Sequence, residues 1–467
     1  MSLSYSPITS EFISQLKSLM GESFVLTKQS ELAAYAQDET EDLTYFPEVV
    51  VKPHTAEEIS QVLKWCNQYN VPLTPRGAGT GLSGAALPIY GGLLLSMEQF
   101  NSILEIDEQN LQARVQSGVI TEAFMNAVEE KGLYYPVDPS SKGSCFLGGN
   151  VAHGSGGPRV VKYGTIREYI LNLKVVLPTG EIIWTGANTL KFASGYNLTQ
   201  LFIGSEGTLG IVTEIVVKLI PKPAQNVLLL ASFTSNEQAC EAVSAIFRAG
   251  ITPSAVEFME RKGVEWVMKN DGVVFDLKDQ VAALLLIELD GPSLDTLYET
   301  GEQLNAVLEQ YHCVEVLFAD TTSQKEELWR MRRTMAVSVK ANSVYKEEDT
   351  VVPRAALPQL IAGIKRIGFA YGFESICYGH AGDGNLHVNI IKGNMSDEDW
   401  QHKLKKGIAE IFELTVSLGG TLSGEHGIGL VQKEYMHLKF SEVHLNLMRH
   451  IKQVFDPHGI LNPGKIF

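Results

Sequence analysis

Two short segments in the last fifth of the chain concentrate residues suited to metal and acid–base chemistry. The segment GHAGDGNLHVNI (379–390) holds His380 and His387 on either side of a Gly-Asp turn. The segment SGEHGIG (423–429) places Glu425 and His426 between glycines, where charged side chains rarely serve packing. Two imidazoles and one carboxylate form a divalent-metal ligand set that leaves coordination positions open. We therefore predict His380, His387 and Glu425 as metal ligands and His426 as a free base.

The residues that follow His387 in the sequence predict which nearby side chain contacts the substrate. If HVNII forms a strand, His387 and Asn389 face one side while Val388 and Ile390 face the other. We predict that Asn389 contacts the substrate. Zinc, manganese and iron(II) all suit the ligand set, so the metal stays open among these three. The alternative for either histidine alone is an ordinary hydrogen bond to the backbone near a turn.

Three glycine-rich segments in the first half of the chain predict a site for an extended ligand with phosphates and flat rings. They are PRGAGTGLSG (75–84), the stretch 138–165 and GSEGTLGIVTEI (204–215). Backbone N–H groups can converge on a pyrophosphate where no Cβ stands in the way. The G-x-G-x-x-G pattern in the first segment is not a Rossmann fingerprint, because Pro88 and the pair at 91–92 prevent the helix that such a motif opens.

Apolar periodicity predicts the elements that carry these loops. Thr55 and Glu58 form a capping-box pattern at the start of a helix over 54–70. Strands are predicted at 71–75, 91–96, 170–177 and 210–220, and helices at 121–131 and 197–202. This pattern indicates an α+β domain that ends near residues 221–223. Strands at 226–233 and 281–289, each followed by an amphipathic helix, then predict a ferredoxin-like sheet, and further helices are expected at 323–343, 354–372 and 397–418.

Size, charge and cysteine spacing exclude several classes of protein. At 467 residues the chain exceeds one ordinary core, so two or three domains are expected. The net charge of −16 argues against nucleic acid as a partner, because its phosphates require a basic surface. The five cysteines include no C-x-x-C pair, so neither a zinc ribbon nor an iron–sulfur cluster is encoded. Without a signal sequence or a long apolar run, we expect a cytoplasmic protein, and association with a membrane through partners is left open.

The glycine-rich segments, together with GYNLTQLFIGSEGTLGI and the terminal LNPGK, resemble the FAD-linked oxidases of the cresol-methylhydroxylase/vanillyl-alcohol-oxidase fold. Within that fold, the chain is similar to D-lactate dehydrogenase, D-2-hydroxyglutarate dehydrogenase and the flavin subunit of glycolate oxidase. The resemblance implies an α+β protein with a two-part FAD-binding domain, a ferredoxin-like substrate (cap) domain and a C-terminal helical segment. The implied parts are an N-terminal helical extension (1–40), the FAD-binding domain (41–222), the cap (223–425) and a C-terminal segment that returns to the FAD domain (426–467).

The resemblance also implies which residues bind FAD. Those of the first loop would hold the pyrophosphate, those of the second would line the ribityl chain and isoalloxazine, and those of the third would lie near the adenosine. With Asn462 from the tail they are Arg76, Gly77, Gly79, Thr80, Gly81, Ser83, Asp138, Pro139, Ser140, Gly148, Asn150, Ser155, Tyr163, Gly164, Glu206, Gly207, Ile211 and Val212. No histidine stands in 75–88, so FAD is expected without a covalent bond, and His153 is interpreted as a structural loop histidine.

A 2-hydroxy acid needs a cation for its carboxylate, and LWRMRR (328–333) supplies three arginines. On a helix Arg332 shares a face with Trp329, three residues away. The resemblance implies that Arg332 binds the substrate carboxylate and that Lys346 is a second cation. Some hydroxyglutarate-oxidising relatives carry a hydroxyl side chain where this chain has Ala336, a departure that favours a short acid over a long dicarboxylate.

The predicted function is a metal-assisted, FAD-dependent dehydrogenase of a small D-2-hydroxy acid such as D-lactate or glycolate. The expected electron acceptor is external: a quinone, a cytochrome, an electron-transferring flavoprotein or an iron–sulfur subunit. A homodimer is left open. The alternatives are the flavin subunit of a multi-protein glycolate oxidase, an alcohol or sugar oxidase of the same fold, and a metallohydrolase without flavin.

Overall fold

The computed structural model describes residues 4–272 and 275–467, which form two compact units. The first unit comprises residues 1–156, 165–222 and 425–467, and the second comprises 157–164 and 223–424. The helices are α1 (Ser10–Met20), α2 (Gln29–Leu32), α3 (Ala56–Tyr69), α4 (Thr121–Glu129), α5 (Leu147–His153), α6 (Val160–Tyr163), α7 (Leu198–Phe202), α8 (Asn236–Arg248), α9 (Arg261–Asp271), α10 (Leu294–Glu309), α11 (Thr322–Arg333), α12 (Met335–Asn342), α13 (Leu357–Tyr371), α14 (Asp397–Ser417), α15 (Met436–Lys439) and α16 (Glu442–Phe455). Within the described residues, no helix is both long enough and apolar enough to cross a bilayer.

The strands alternate with these helices along both units. They are β1 (Val25–Leu26), β2 (Val49–Val51), β3 (Leu73–Arg76), β4 (Leu93–Ser96), β5 (Ile103–Asp107), β6 (Gln112–Gln116), β7 (Leu133–Tyr134), β8 (Ile170–Val176), β9 (Ile182–Trp184), β10 (Ile211–Lys218), β11 (Ile220–Pro221), β12 (Gln225–Phe233), β13 (Ala255–Glu260), β14 (Ala283–Gly291), β15 (Cys313–Ala319), β16 (Tyr345–Val351), β17 (Glu374–Gly379) and β18 (Asn385–Ile391).

The first unit contains two larger sheets. One has the order β1-β2-β4-β3, in which β4 pairs in parallel with β2 and β3, and the other is antiparallel with the order β5-β6-β10-β8-β9. Helix α3 begins with the predicted capping box between Thr55 and Glu58, and it buries Ile59, Leu63 and Cys66 in the core beside β2 and β4. Helix α1 adds Phe12 to the same core. No helix follows β3 before residue 93, which agrees with the rejection of a Rossmann motif.

The second unit is built on one seven-stranded antiparallel sheet with the order β15-β12-β14-β13-β17-β18-β16. Its first four strands, with α8 and α10 connecting them, have the ferredoxin-like order that the sequence predicts, and three further strands extend the sheet beyond β13. These three strands carry the histidine motif. The segment expected as one helix over 323–343 is two helices, α11 and α12, which are separated at Thr334.

The segment at 157–164 lies in the second unit, although it falls within the range expected for the FAD-binding domain. Arg159 donates through Nε and Nη2 to the buried carboxylate of Glu288, at 2.9 Å for each bond. Trp329 also donates to Glu288, at 3.1 Å, and Lys162 pairs with Asp290. Charge-assisted bonds to β14 therefore hold this short segment on the seven-stranded sheet.

Candidate active site

A cleft opens in the first unit between the glycine-rich loops. Seven of the residues predicted to bind FAD line it, and they come from all three glycine-rich segments: Arg76, Gly77, Gly148, Glu206, Gly207, Ile211 and Val212. The sequence-distant loops therefore converge on one cavity, as the glycine pattern predicts.

Three polar atoms in and beside this cleft are buried and have no hydrogen-bond partner in the described part of the chain. They are Arg76 Nη1, Ser83 Oγ and Ser117 Oγ. Burial lowers the pKa of the Arg76 guanidinium, which lies over the ring of Tyr35 at 5.8 Å. Because buried donors and hydroxyls are normally hydrogen-bonded, these atoms indicate a polar ligand, and the phosphates and ribityl hydroxyls of FAD fit them.

Two glycines make the close backbone approaches around this cleft possible. A Cβ on Gly79, where φ is +76°, would lie 2.1 Å from Arg76 Nη2. A Cβ on Gly148, at the start of α5, would lie 2.5 Å from Ser117 Cβ and 2.9 Å from the Ser117 carbonyl oxygen. Gly148 and Ser117 both line the cleft. The absence of a side chain at residue 148 therefore sets the cleft wall.

Substitution Gly148→Ala is expected to lower the affinity for FAD about tenfold or more. The new methyl group would push α5 away from Ser117, and overpacking of this kind typically costs about 1–3 kcal/mol. Gly143→Ala is a matched control on the same loop, because its Cβ would meet only Glu122 Oε2, at an ordinary 3.5 Å. Equilibrium dialysis of FAD from the two variants measures the difference. Equal retention of FAD by both variants would contradict the role of Gly148.

Other predicted cofactor residues hold the cleft together from outside its wall. Asn150 donates to Thr121 Oγ1 at 2.7 Å, and its carbonyl accepts from the Ser155 N–H at 3.0 Å. Asn462 donates to the Glu206 carbonyl at 2.8 Å and thereby ties the C-terminal tail to the third glycine-rich loop. The contacts of these residues with FAD stay a prediction, as do those of Thr80, Gly81, Asp138, Pro139 and Ser140.

Tyr163 and Gly164, also predicted to bind the flavin, belong to the segment held on the second unit. The Tyr163 hydroxyl donates to Asp290 Oδ2 at 2.5 Å. Burial and the Asp290 carboxylate both raise the pKa of Tyr163, so it stays a neutral phenol. This bond lies within the second unit, and the contact of Tyr163 and Gly164 with the flavin stays a prediction.

The turn that carries His426 is fixed to the cleft wall by two residues. The Nδ1–H of His153 donates to the His426 carbonyl at 3.0 Å. The carboxylate of Glu206 accepts the N–H groups of Ile428 and Gly429 at 2.8 and 2.7 Å. A Cβ on Gly427 would lie 2.9 Å from both Glu206 Oε1 and His153 Nδ1, which explains the glycine after His426. Burial raises the pKa of Glu206 despite these contacts.

In the second unit, a buried carboxylate joins the first motif histidine to the predicted substrate arginine. Glu257 on β13 accepts from His380 Nδ1 at 2.7 Å and from Arg332 Nε at 2.6 Å. All three side chains are at most 6% exposed. Burial alone would raise the pKa of Glu257, but His380 and Arg332 outweigh it and lower that pKa below its usual value. The side chain of Arg332 also lies over the ring of Tyr378, at 5.1 Å.

The second motif histidine lies beside the first and close to two carboxylates of β16. The rings of His380 and His387 meet edge to face with centroids 5.4 Å apart. His387 Nδ1 is 3.7 Å from Asp349 Oδ1 and 4.0 Å from Glu347 Oε1. Antiparallel pairing of β16 with β18 sets this arrangement, because Asp349 stands opposite His387 in the register.

Asp349 also holds the chain that leads to Glu425. Its carboxylate accepts from Asn385 Nδ2 at 2.6 Å, from Ser423 Oγ at 2.8 Å and from the Gly424 N–H at 2.8 Å. One fully buried carboxylate therefore links the histidine motif to the residue that precedes Glu425 in the chain. Glu425 and His426 themselves begin the last stretch of the first unit.

The remaining predicted substrate residues lie on the same extension of the seven-stranded sheet. Asn389 is fully buried on β18, and its amide atoms make no hydrogen bond of ordinary geometry within the described residues. Lys346 is half-buried on β16, opposite Ile390. As predicted, Trp329 and Arg332 share the buried face of α11, while Arg330 and Arg333 are exposed.

Sequence reasoning missed Glu257, Asp349, Ser117 and the anchoring role of His153. Glu257 stands in the run AVEFME, where a carboxylate interrupts an apolar strand. Such an interruption is a usable signal, because a buried charge requires partners. Asp349 stands in EEDT and resembles an ordinary surface charge until the strand register is known.

Comparisons with known proteins identify two domains in the chain. Residues 47–186 match the FAD binding domain, and residues 222–466 match the C-terminal domain of FAD linked oxidases. Solved structures show the same fold at low sequence identity. A structure of p-cresol methylhydroxylase with substrate bound has a TM-score of 0.78 at 17% identity, with coverage of 97% of this chain and 96% of that one. The 4-ethylphenol oxidase from Gulosibacter chungangensis has a TM-score of 0.76 at 18% identity, with coverage of 99% and 98%.

Relatives at higher identity span nearly the whole chain. Glycolate oxidase subunit GlcD of Bacillus subtilis (strain 168) is 41% identical, with coverage of 93% of this chain and 92% of the relative. D-lactate dehydrogenase of Anaerostipes hadrus is 36% identical, with coverage of 99% and 98%. D-2-hydroxyglutarate dehydrogenase of Stutzerimonas stutzeri (strain A1501) is 34% identical, with coverage of 97% and 98%.

Proposed function

The chain belongs to the FAD-linked oxidases, and on that premise we propose that it oxidises a small D-2-hydroxy acid such as D-lactate or glycolate to the 2-oxo acid. The observation that carries the proposal is the buried group of His380, Glu257 and Arg332. The His380 imidazole, which suits a metal, and the Arg332 guanidinium, which suits a carboxylate, both donate to Glu257. A 2-hydroxy acid bears its hydroxyl and its carboxylate on one carbon, so a metal that binds the hydroxyl and an arginine that binds the carboxylate must lie close together.

We further propose that His380, His387 and Glu425 hold a divalent metal. The second unit supports this, because its two histidine rings lie edge to face and the bond from Nδ1 of His380 to Glu257 places the lone pair of the neutral ring on Nε2, the atom that would bind an ion. Asp349 supports it too, since it holds Gly424, the residue before Glu425. The donor set of two imidazoles and a carboxylate suits zinc, manganese or iron(II).

The roles of the chain's own residues follow from this assignment. Arg332 and Lys346 bind the carboxylate of the acid, and Asn389 orients it from the buried face of β18. His426 removes the hydroxyl proton, a role that needs a base within hydrogen-bond reach. Bound FAD would accept hydride from the substrate's Cα, and the metal would polarise the hydroxyl. We propose a non-covalent flavin, because no histidine stands in residues 75–88 of the first glycine-rich loop.

Ala336 favours a short acid over D-2-hydroxyglutarate. It packs on α12 against the core of the second unit, four residues beyond Arg332. A methyl group there offers no donor to a second carboxylate. We therefore propose D-lactate or glycolate ahead of the five-carbon diacid.

Anaerobic mixing of the purified protein with D- and L-lactate, glycolate, D-2-hydroxyglutarate and 4-ethylphenol tests the proposal. We expect the flavin absorbance near its visible maximum to bleach with D-lactate or glycolate and to persist with L-lactate and the phenol. Bleaching by the phenol alone would replace the proposal with an aryl-alcohol oxidase. Acid precipitation of the same preparation, expected to leave FAD in the supernatant, tests the non-covalent attachment.

A second candidate is favoured by the names of the relatives at 41% and 37% identity, which are glycolate oxidase subunits. The chain would then be the flavin subunit of a complex and would pass electrons to a partner. Both candidates predict bleaching by the acid. They differ in reoxidation, which would be rapid with an artificial quinone or dye in the first case and would require a partner subunit in the second.

A further inference from the structure

We propose that Glu257 is a positioning residue that sets, through one carboxylate, both the tautomer of His380 and the orientation of Arg332. The inference rests on the proposed function, because it concerns the metal and the acid assigned to those two side chains. The carboxylate is completely buried on β13 and engages one donor from β17's end and one from α11. The carboxylate therefore contacts both His380, which is proposed to bind the metal, and Arg332, which is proposed to bind the carboxylate of the acid.

The bond to His380 determines which ring nitrogen can bind a metal. A carboxylate only accepts hydrogen bonds, so the 2.7 Å contact requires a proton on His380 Nδ1. In the neutral ring Nε2 then carries the lone pair. Partners of this kind fix the ring orientation of metal-binding histidines and raise their basicity. Glu257 therefore fixes the His380 tautomer that can bind a metal through Nε2, and it does so in the absence of the ion.

The bond to Arg332 fixes the plane of the guanidinium. Glu257 accepts from Nε at 2.6 Å, and the guanidinium lies over the Tyr378 ring at 5.1 Å. With Nε engaged, the two Nη groups keep N–H donors that can meet a carboxylate in fork geometry. An arginine held in this way loses little side-chain entropy when it binds the acid.

Glutamine at residue 257 could not perform both tasks. Its single carbonyl oxygen can accept from one of the two donors, and its NH₂ group must face the other. Arginine has no acceptor, so the amide NH₂ would face His380, shift the proton to Nε2 and block that atom as a ligand. Because glutamine has nearly the same size as glutamate, the substitution Glu257→Gln removes the positioning of His380 and Arg332 but keeps the packing of the side chain.

Glu260→Gln is the matched control. Glu260 lies three residues further along β13, is also buried, and accepts from Lys365 Nζ and from the Cys377 N–H. Its loss removes a buried carboxylate from the same strand without touching His380 or Arg332. Both variants are expected to unfold at lower temperature than the natural protein.

Equilibrium dialysis of Mn²⁺ and Zn²⁺ into the FAD-loaded proteins provides the decisive measurement. We expect Glu257→Gln to bind the metal about 10- to 100-fold more weakly than the natural protein and Glu260→Gln to bind it normally. In an Arg332→Met background the glutamine oxygen is free to accept from His380 Nδ1, so both the loss of metal affinity caused by Glu257→Gln and its additional effect on KM should largely vanish. Unchanged metal affinity in Glu257→Gln would overturn the inference.

The outcomes also separate this inference from the proposed function. A natural protein that binds no stoichiometric metal refutes the metal assignment itself, whereas normal binding by both the natural protein and Glu257→Gln refutes only the role of Glu257. If Glu257→Gln fails to fold, long-range ¹⁵N–¹H correlations of the natural protein, assigned with His380→Gln, report the tautomer directly. A neutral His380 protonated at Nε2 would contradict the inference.

Discussion

Replacement His426→Ala is expected to slow flavin reduction by the acid at least about 100-fold while FAD stays bound. A positioned base typically contributes about 100- to 10,000-fold, and the substitution removes the imidazole that we assign to the hydroxyl proton. FAD binding should survive, because the contacts that fix this turn use backbone atoms. They are the His426 carbonyl, bound by His153, and the N–H groups of residues 428 and 429, bound by Glu206.

Stopped-flow absorbance under anaerobic conditions measures that rate, with the FAD content of each preparation as the reference. His444→Ala on α16 is a suitable control, because its imidazole is exposed, shares a hydrogen bond with the Ser441 hydroxyl and lies beside the Phe440 ring. The control should reduce its flavin at the natural rate. Near-normal reduction in His426→Ala would remove this histidine from the mechanism.

Replacement Arg332→Ala is expected to raise KM for the acid by an amount that corresponds to about 2–5 kcal/mol, provided that the protein stays folded. Removing one member of a buried charge pair leaves the other without its partner, which accounts for the size of the effect. Here both the substrate carboxylate and Glu257 would lose the guanidinium. Steady-state kinetics with an excess of artificial electron acceptor separates KM from kcat.

Arg330→Ala controls for the general loss of positive charge from α11. Arg330 lies on the same helix but is exposed, so its removal should leave KM within about twofold, as expected of a screened surface charge. Arg332→Lys keeps the charge but lacks the planar fork, and we expect it to restore only part of the affinity. An unchanged KM in Arg332→Ala would clear this arginine of substrate binding.

Local sequence patterns predicted most of the longer helices but fewer than half of the strands, because the signals that they read are short-range. The capping box at Thr55 and Glu58 specified the start of α3, and the Pro and Gly residues after β3 ruled out a Rossmann helix. The alternation of strands and helices after residue 223 predicted a ferredoxin-like sheet, although of its four strands only β12 and β14 were predicted and their order came from the structure. Hydrophobic periodicity and turn residues determine local structure over a few positions, so a single sequence is enough to recognise them.

The sequence did not reveal the break between α11 and α12 or the place of residues 157–164. Thr334 donates its hydroxyl to the Arg330 carbonyl, a local bond that competes with the helix at that point. Arg159, Lys162 and Tyr163 lie near the end of the second glycine-rich segment, and their bonds to Glu288 and Asp290 hold them on the second unit. Those acidic partners lie more than 120 residues away in sequence.

The chemistry of the candidate site was determined by residue type and local spacing. Two histidines around a Gly-Asp turn, a Glu-His pair between glycines and an arginine three residues from a tryptophan are all visible without coordinates. Only the tertiary structure decided that Glu257, 123 residues before His380 and 75 before Arg332, joins the two, and that Asp349 faces His387. The physical reason is that strand pairing and burial determine which side chains contact His380, Arg332 and His387. Both depend on the register of a sheet assembled from distant segments, which no local pattern encodes.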